Sequence, residues 1–196
     1  MEQASGRRER RDTARNLERV LEAASELFAE RGSGVTMEEV ARRAGVGVGT
    51  VYRRFPSKEH LFIAVSHAVC ADTRHSLQQA AATAPDPRAT LVALVRTLYT
   101  RCQQQSALLD PSQGDAECVT AGQQRELYAA VYQMLVCTIS EGQRAGVFAA
   151  GDPSIRAALC TELLTPRAFR HLTRLTGGNA EQVAEHVTTF LLHGLE

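Results

Sequence analysis

Residues 36–62 read TMEEVARRAGVGVGTVYRRFPSKEHLF, and the spacing inside this stretch decides the fold. Thr36 and Glu39 stand three apart, the pair that can satisfy each other's orphan amides at a helix start. A short helix from 36 to 44 is expected, stopped by Gly45. A second runs from about 48 to 55, and Pro56-Ser57 ends it and caps the next. Ala41 precedes Gly45 by four residues, and Val51 follows it by six. A small residue at the first place lets two helices cross closely, glycine takes the sharp turn, and an apolar third residue ties the second helix to the core. Val40, Val46 and Phe55 supply further core positions. This is the grammar of a helix-turn-helix.

Helical periodicity continues on both sides. Leu17, Val20, Leu21, Ala24, Leu27 and Phe28 recur at three and four, predicting a helix over 16–31 that Gly32 and Gly34 end. Downstream, helices are predicted at about 57–82, 87–104, 118–145, 153–174 and 180–194, with a short helix plus loop over 106–117. Asp86-Pro87 and Asp152-Pro153 each place an N-cap acid before a proline. Gly177-Gly178 and Asn179 part the last two helices. No alternating strand pattern persists, so the fold class is all-α. Three parts are expected: a basic, unstructured arm at 1–11, a three-helix head at 12–56, and a helical domain at 57–196.

With 44% hydrophobic and 22% charged residues among 196, the composition is that of a soluble globular protein. No run is long and apolar enough for a membrane span, and the basic first residues lack the apolar stretch of a secretory signal, so a cytoplasmic location is expected. Net charge is zero, but residues 1–60 hold 12 Lys and Arg against 10 acids, and the remainder 10 against 12. The cations gather at Arg7, Arg8, Arg10 and Arg11, and again at Arg42, Arg43, Arg53, Arg54 and Lys58, where local placement governs phosphate attraction. The five cysteines, Cys70, Cys102, Cys118, Cys137 and Cys160, have no zinc spacing and read as free thiols packed in a core, with redox sensing as the minor reading. No metal or cofactor is expected.

Residues 36–62, together with LEAASELFAERG at 21–32, resemble the signature of the tetracycline-repressor (TetR) family of bacterial transcriptional regulators. The likeness is detailed over about 12–65; beyond that only helix number and length agree. It implies a repressor, not an enzyme, that binds an inverted-repeat operator as a homodimer and is released by a small-molecule effector. It also implies that the helix at 48–55 enters the major groove. Gly47, Val48, Gly49, Thr50, Arg53 and Arg54 would then reach base edges, as arginine can grip guanine and methyl groups can touch thymine. Thr50, Tyr52 and Lys58, the only lysine in the chain, fall where the family contacts phosphates, and Thr36 caps a helix that can face the backbone. Val48 departs from the polar or basic residue frequent there.

For the second domain the resemblance implies an effector pocket. Candidate lining residues are Phe62, His67, Tyr99, Cys102, Tyr128, Tyr132 and Met134, each of which also suits an ordinary core position. Ile155, Leu159 and Leu163, with Val183, Val187, Phe190 and Leu191, form stripes suited to a dimer seam or to internal packing. A single short recognition helix favours the dimer, since two half-sites are needed for affinity. From the residues alone, a helical enzyme or a protein-binding adaptor stays open. No nucleophile–base pair is visible to favour the enzyme.

Overall fold

The computed structural model describes the backbone of residues 2–109 and 117–196, and the side chains of 14–32, 34–105, 108 and 122–196. Every regular element among them is helical: α1 (Glu2–Arg31), a 3-10 turn at Gly32–Gly34, α2 (Met37–Ala44), α3 (Val48–Arg54), α4 (Lys58–Thr83), α5 (Pro87–Leu109), α6 (Glu117–Arg144), α7 (Pro153–Leu163), α8 (Pro166–Thr176) and α9 (Ala180–Leu195). An N-terminal head, α1–α3, is followed by a larger helical unit.

The head is a small core closed by short-range rules. Val20, Ala24, Leu27 and Phe28 of α1 are buried with Val40, Ala41 and Ala44 of α2, Val51 of α3 and Phe55 beyond it. Gly45 sits at φ 64°, ψ 40°, and its amide reaches back to the carbonyls of Ala41 and Arg42. A side chain pays a steric penalty in that left-handed conformation, which is why glycine stands at the turn.

α4 joins the two units. Its 26 residues span about 39 Å at 1.5 Å each. At its start Phe62 meets Phe28 of α1 edge to face, with ring centroids 5.1 Å apart. Further along it packs against α5 and α6, while α9 lies on α5 and α7 on α6. Leu91, Leu94, Val95 and Leu98 of α5, and Leu127, Val131, Leu135 and Ile139 of α6, are buried as their periodicity predicts.

Three boundaries differ from expectation. α1 begins at Glu2 rather than near residue 16, so the expected unstructured arm is helical in backbone; Gln, Glu, Ala and Arg are good helix formers, and the acids space out the arginines. The side chains of Arg7–Arg11 lie outside the described residues. The single helix expected over 153–174 is two. Pro166 lacks an amide proton and pushes Thr165 to φ −80°, ψ 152°, where its hydroxyl accepts from the Ala168 amide and caps a fresh helix. Finally, α5 runs to Leu109 through a non-helical Gln105. The loop expected beyond it falls on residues outside the described set.

Candidate nucleic-acid interface

α3 presents most of its side chains to solvent. Val51 is buried and Phe55 closes the helix against the core, so the rest of the short element must face outward. Val48 is 41% and Tyr52 44% exposed, and Gly49, Arg53 and Arg54 are exposed with them. Thr50 is half-buried, its amide bonded to the Gly47 carbonyl at 2.8 Å. Among the described residues neither Arg53 nor Arg54 has a carboxylate within ion-pair distance, so both guanidiniums are available.

Two of the surrounding arginines are held by acids, and a third lies over the turn. Arg43 pairs with Glu26 at 2.9 Å and Glu30 at 3.5 Å, tying α2 to α1. Arg31 donates to Glu39 Oε1 at 2.9 Å. That hydrogen bond is the main reason the Glu39 carboxyl is held down to about 2, with the Thr36 amide adding to it. The Arg19 guanidinium lies over Gly45, where an added Cβ would come 2.5 Å from Nη2. A cation there favours the negative end of α2. The arginines paired with acids at the α1–α2 junction, Arg31 and Arg43, are thus sorted from Arg53 and Arg54 of α3, a sorting that charge clusters in sequence do not reveal.

The cap residues divide in role. Thr36 and Glu39 form a closed capping box: the Glu39 amide donates to Thr36 Oγ1, and the Thr36 amide donates to Glu39 Oε2 at 2.9 Å. The Thr36 hydroxyl also donates to Glu39 Oε2 at 3.2 Å. With Glu38 and Glu39 in the first turn, that helix end already carries negative charge, so Thr36 is better fitted to hold α2 than to receive a phosphate. At the start of α4, Ser57 accepts from the His60 amide, and its Oγ lies 3.0 Å from His60 Nδ1. Lys58 is half-buried in the same turn. The Tyr52 ring stands in solvent, its hydroxyl 3.5 Å from Glu38 Oε1.

Among the described residues, the second-domain candidates have different surroundings. Phe62 belongs to the head junction with Phe28. Tyr99 is fully buried; its hydroxyl donates to the Leu163 carbonyl at 2.6 Å and its ring packs on Phe169, so it pins α5 to α7 and α8. Cys102 is likewise fully buried. Tyr128, Tyr132 and Met134 are half-buried on α6. His67 is exposed and rims a space of about 50 Å³ with Cys70, Gln123 and Leu127.

A further buried feature of the second domain is polar. Ser66 and Thr73 of α4 are fully buried, and Gln124 of α6 nearly so; Ser66 Oγ, Thr73 Oγ1 and Gln124 Oε1 have no hydrogen-bond partner. Ser66, Cys70 and Thr73 recur at four and three on one α4 face, and α4 packs against α6. Buried polar atoms left without partners cost about 1–3 kcal/mol each, so the stripe is a candidate place for a polar molecule. Its signal in sequence was serine and threonine at helical spacing inside an apolar stripe.

The dimer candidates split in two. Val183, Val187 and Leu191 are buried within the chain as part of the core, because α9 lies on α5. Leu163 is half-buried. Ile155, Leu159 and Phe190 are 61%, 66% and 67% exposed. Of the thiols, Cys70 and Cys160 are pushed up to about 11 by burial, which suits packing rather than redox chemistry. Cys137 is exposed, and Cys118 lies outside the described residues.

Comparison with known proteins matches residues 20–65 to the family of bacterial regulatory proteins, tetR family. The match runs from the buried face of α1 through the turn at Gly45 to the first turns of α4. The head matches the TetR family. The transcriptional repressor KstR2 of Rhodococcus jostii is 37% identical over 81 residues, 41% of this chain and 40% of its own. The transcriptional activator FasR of Mycolicibacterium smegmatis is 37% identical over 95 residues, 48% of this chain and 42% of its own. The chain thus spans about two-fifths of the length of these relatives. A solved transcriptional regulator from Saccharomonospora viridis, in complex with choline, shares the fold over 93% of this chain and 97% of its own, with a TM-score of 0.77 and 23% identity. The TetR-type head is therefore shared in sequence, and the helical unit behind it in fold.

Proposed function

We propose that this chain is a DNA-binding transcriptional regulator that works as a homodimer on an inverted-repeat operator, as a repressor released by a small-molecule effector. The exposed face of α3 carries the reading: Val48, Thr50, Arg53 and Arg54 lie on a short helix anchored through Val51, the arrangement that places base-reading side chains in a major groove. Lys58 and Tyr52 hold flanking phosphates. One seven-residue helix reads too few bases to bind usefully alone, and a two-fold dimer supplies the second half-site. Ile155 and Leu159 of α7 and Phe190 of α9 form the seam, since three large apolar side chains standing mostly in water favour a covered face.

The effector lies between α4 and α6, where the orphaned hydroxyls of Ser66 and Thr73 and the Gln124 carbonyl oxygen would find partners. α4 carries that occupancy to Lys58 at the operator, so one rigid element touches both sites. A ligand that prefers a rotated α4 changes the separation of the two recognition helices, which duplex DNA fixes at about 34 Å or its multiples.

Selection of bound sequences from random duplex DNA by the purified chain tests the operator reading. Enrichment of a two-fold repeat, with an affinity that falls steeply with salt, is expected. Failure to enrich any repeat would overturn it. The effector reading is tested separately by paired titrations: operator and effector must weaken each other by the same factor.

A further inference from the structure

α8 reads PRAFRHLTRLT and contains no acid. Arg167, Arg170, His171 and Arg174 recur at three, one and three, which puts all four on one helical face. They line a single groove of about 490 Å³. Arg167, His171 and Arg174 are exposed, and Arg170 is half-buried at its wall. Glu162, at the end of α7, is the one acid along it.

Among the described residues, the guanidiniums at the two ends of this face stand without an acid of their own, as those of Arg53 and Arg54 do on α3. Arg31, Arg43, Arg88, Arg96 and Arg101 each sit against a carboxylate. Among the described residues neither Arg167 nor Arg174 does. Residues 61–196 carry ten arginines against twelve acids, so three of the ten gather on one helix in the acidic part of the chain. The start of α8 adds to them. Thr165 and Ala168 line the same groove, and the Thr165 hydroxyl takes the Ala168 amide. Arg167 is the second residue of α8, so its amide has no intrahelical acceptor and lies at the positive end of the helix dipole.

We propose that this groove is a second ligand site, one that binds a phosphate-bearing small molecule through Arg167, Arg170, Arg174 and the first turn of α8. A single carboxylate would neutralise only one of the two guanidiniums, Arg167 and Arg174, that have no carboxylate within ion-pair distance among the described residues. A phosphate group brings up to two charges and three oxygens that guanidinium forks match in pairs. α8 packs on α5, α7 and α9, so the site belongs to the second domain and stands apart from the α3 surface.

The test is isothermal titration of the full chain with inorganic pyrophosphate and with ADP, against acetate at matched ionic strength. Saturable binding of both diphosphates, one per chain, with none for acetate, is expected. Arg167→Ala with Arg174→Ala should weaken it at least thirtyfold while leaving duplex DNA affinity unchanged. Arg167→Lys with Arg174→Lys should fall between, because lysine keeps the charge and loses the fork. The lysine pair preserves helix and charge, so it reads the site even where the alanine pair folds poorly. Absence of saturable binding, or full binding in both pairs, overturns the proposal. So does a double variant that changes only the sedimenting mass, which would assign the groove to acidic residues of a second copy.

Discussion

Gly45 and Gly49 stand four residues apart in the same head, and replacing each by alanine should move stability in opposite directions. Gly45 holds φ 64°, a conformation that costs an L-residue about 1–2 kcal/mol. An alanine Cβ there would also come 2.5 Å from Arg19 Nη2. That atom ends a flexible, exposed side chain, so its displacement adds only a little. Gly49 lies inside α3 with nothing within 4 Å of an added Cβ. Replacing a helical glycine by alanine is worth roughly 0.5–1 kcal/mol in the helix's favour. The two variants should therefore differ by about 1.5–3 kcal/mol, the sum of these two effects. Urea unfolding followed by far-ultraviolet circular dichroism reads this as a lowered midpoint for Gly45→Ala and a raised one for Gly49→Ala. In duplex binding the order should not simply follow stability. Gly49→Ala adds a methyl to the exposed face of α3 and should weaken or alter operator selection despite its firmer fold. A neutral Gly45→Ala would refute the left-handed turn as the device that sets the α2–α3 crossing. A destabilised Gly49→Ala would refute the open helical environment assigned to that residue.

Arg53→Ala should cost roughly 1–3 kcal/mol in operator binding and relax preference at one position per half-site, whereas Lys58→Ala should weaken all sequences alike and lower the salt slope by about one unit; sequence selection and salt titration separate the two. Glu39 is held down from its usual 4.5 to about 2, chiefly by Arg31, so its contribution to stability is complete above pH 4.5 and disappears as pH falls through about 2. Glu39→Gln keeps a capping side chain without the charge, and its deficit against the parent in urea midpoint should close over that window; a constant deficit would assign it to packing instead. Phe190→Asp should give monomers by sedimentation that no longer hold an operator, because a charge would enter an apolar seam; a variant that remains dimeric moves the seam away from α9.

The head was legible because its rules are local. Thr36, Glu39, Ala41, Gly45 and Val51 act within one or two turns of one another, and each occupies the position its chemistry predicts. The split between α7 and α8 is equally local, since Pro166 signals it through its missing amide, but the sequence reading runs one helix across it. The effector candidates were less legible. Tyr99 looks the same in sequence whether it faces a ligand or a carbonyl sixty-four residues away, and its bond to Leu163 assigns it to the core. Ser66 and Thr73 pass as ordinary helical residues until burial removes every partner.

From sequence alone come the all-α class, the helix-turn-helix and its anchoring residues, since periodicity, caps and turn glycines act over a few residues and require no knowledge of the neighbours. Tertiary structure alone decided which side of each amphipathic helix is spent inside the chain. The stripe of α9 satisfies a dimer and a core equally well on paper; docking on α5 buries Val183, Val187 and Leu191 and leaves Phe190 in solvent. Likewise, only the crossing of α1 with α2 brings Arg43 against Glu26 and Glu30, leaving Arg53 and Arg54 as the guanidiniums that α3 presents outward. Such pairings join residues far apart in the chain, and the energy that selects among them exists only once the helices have packed.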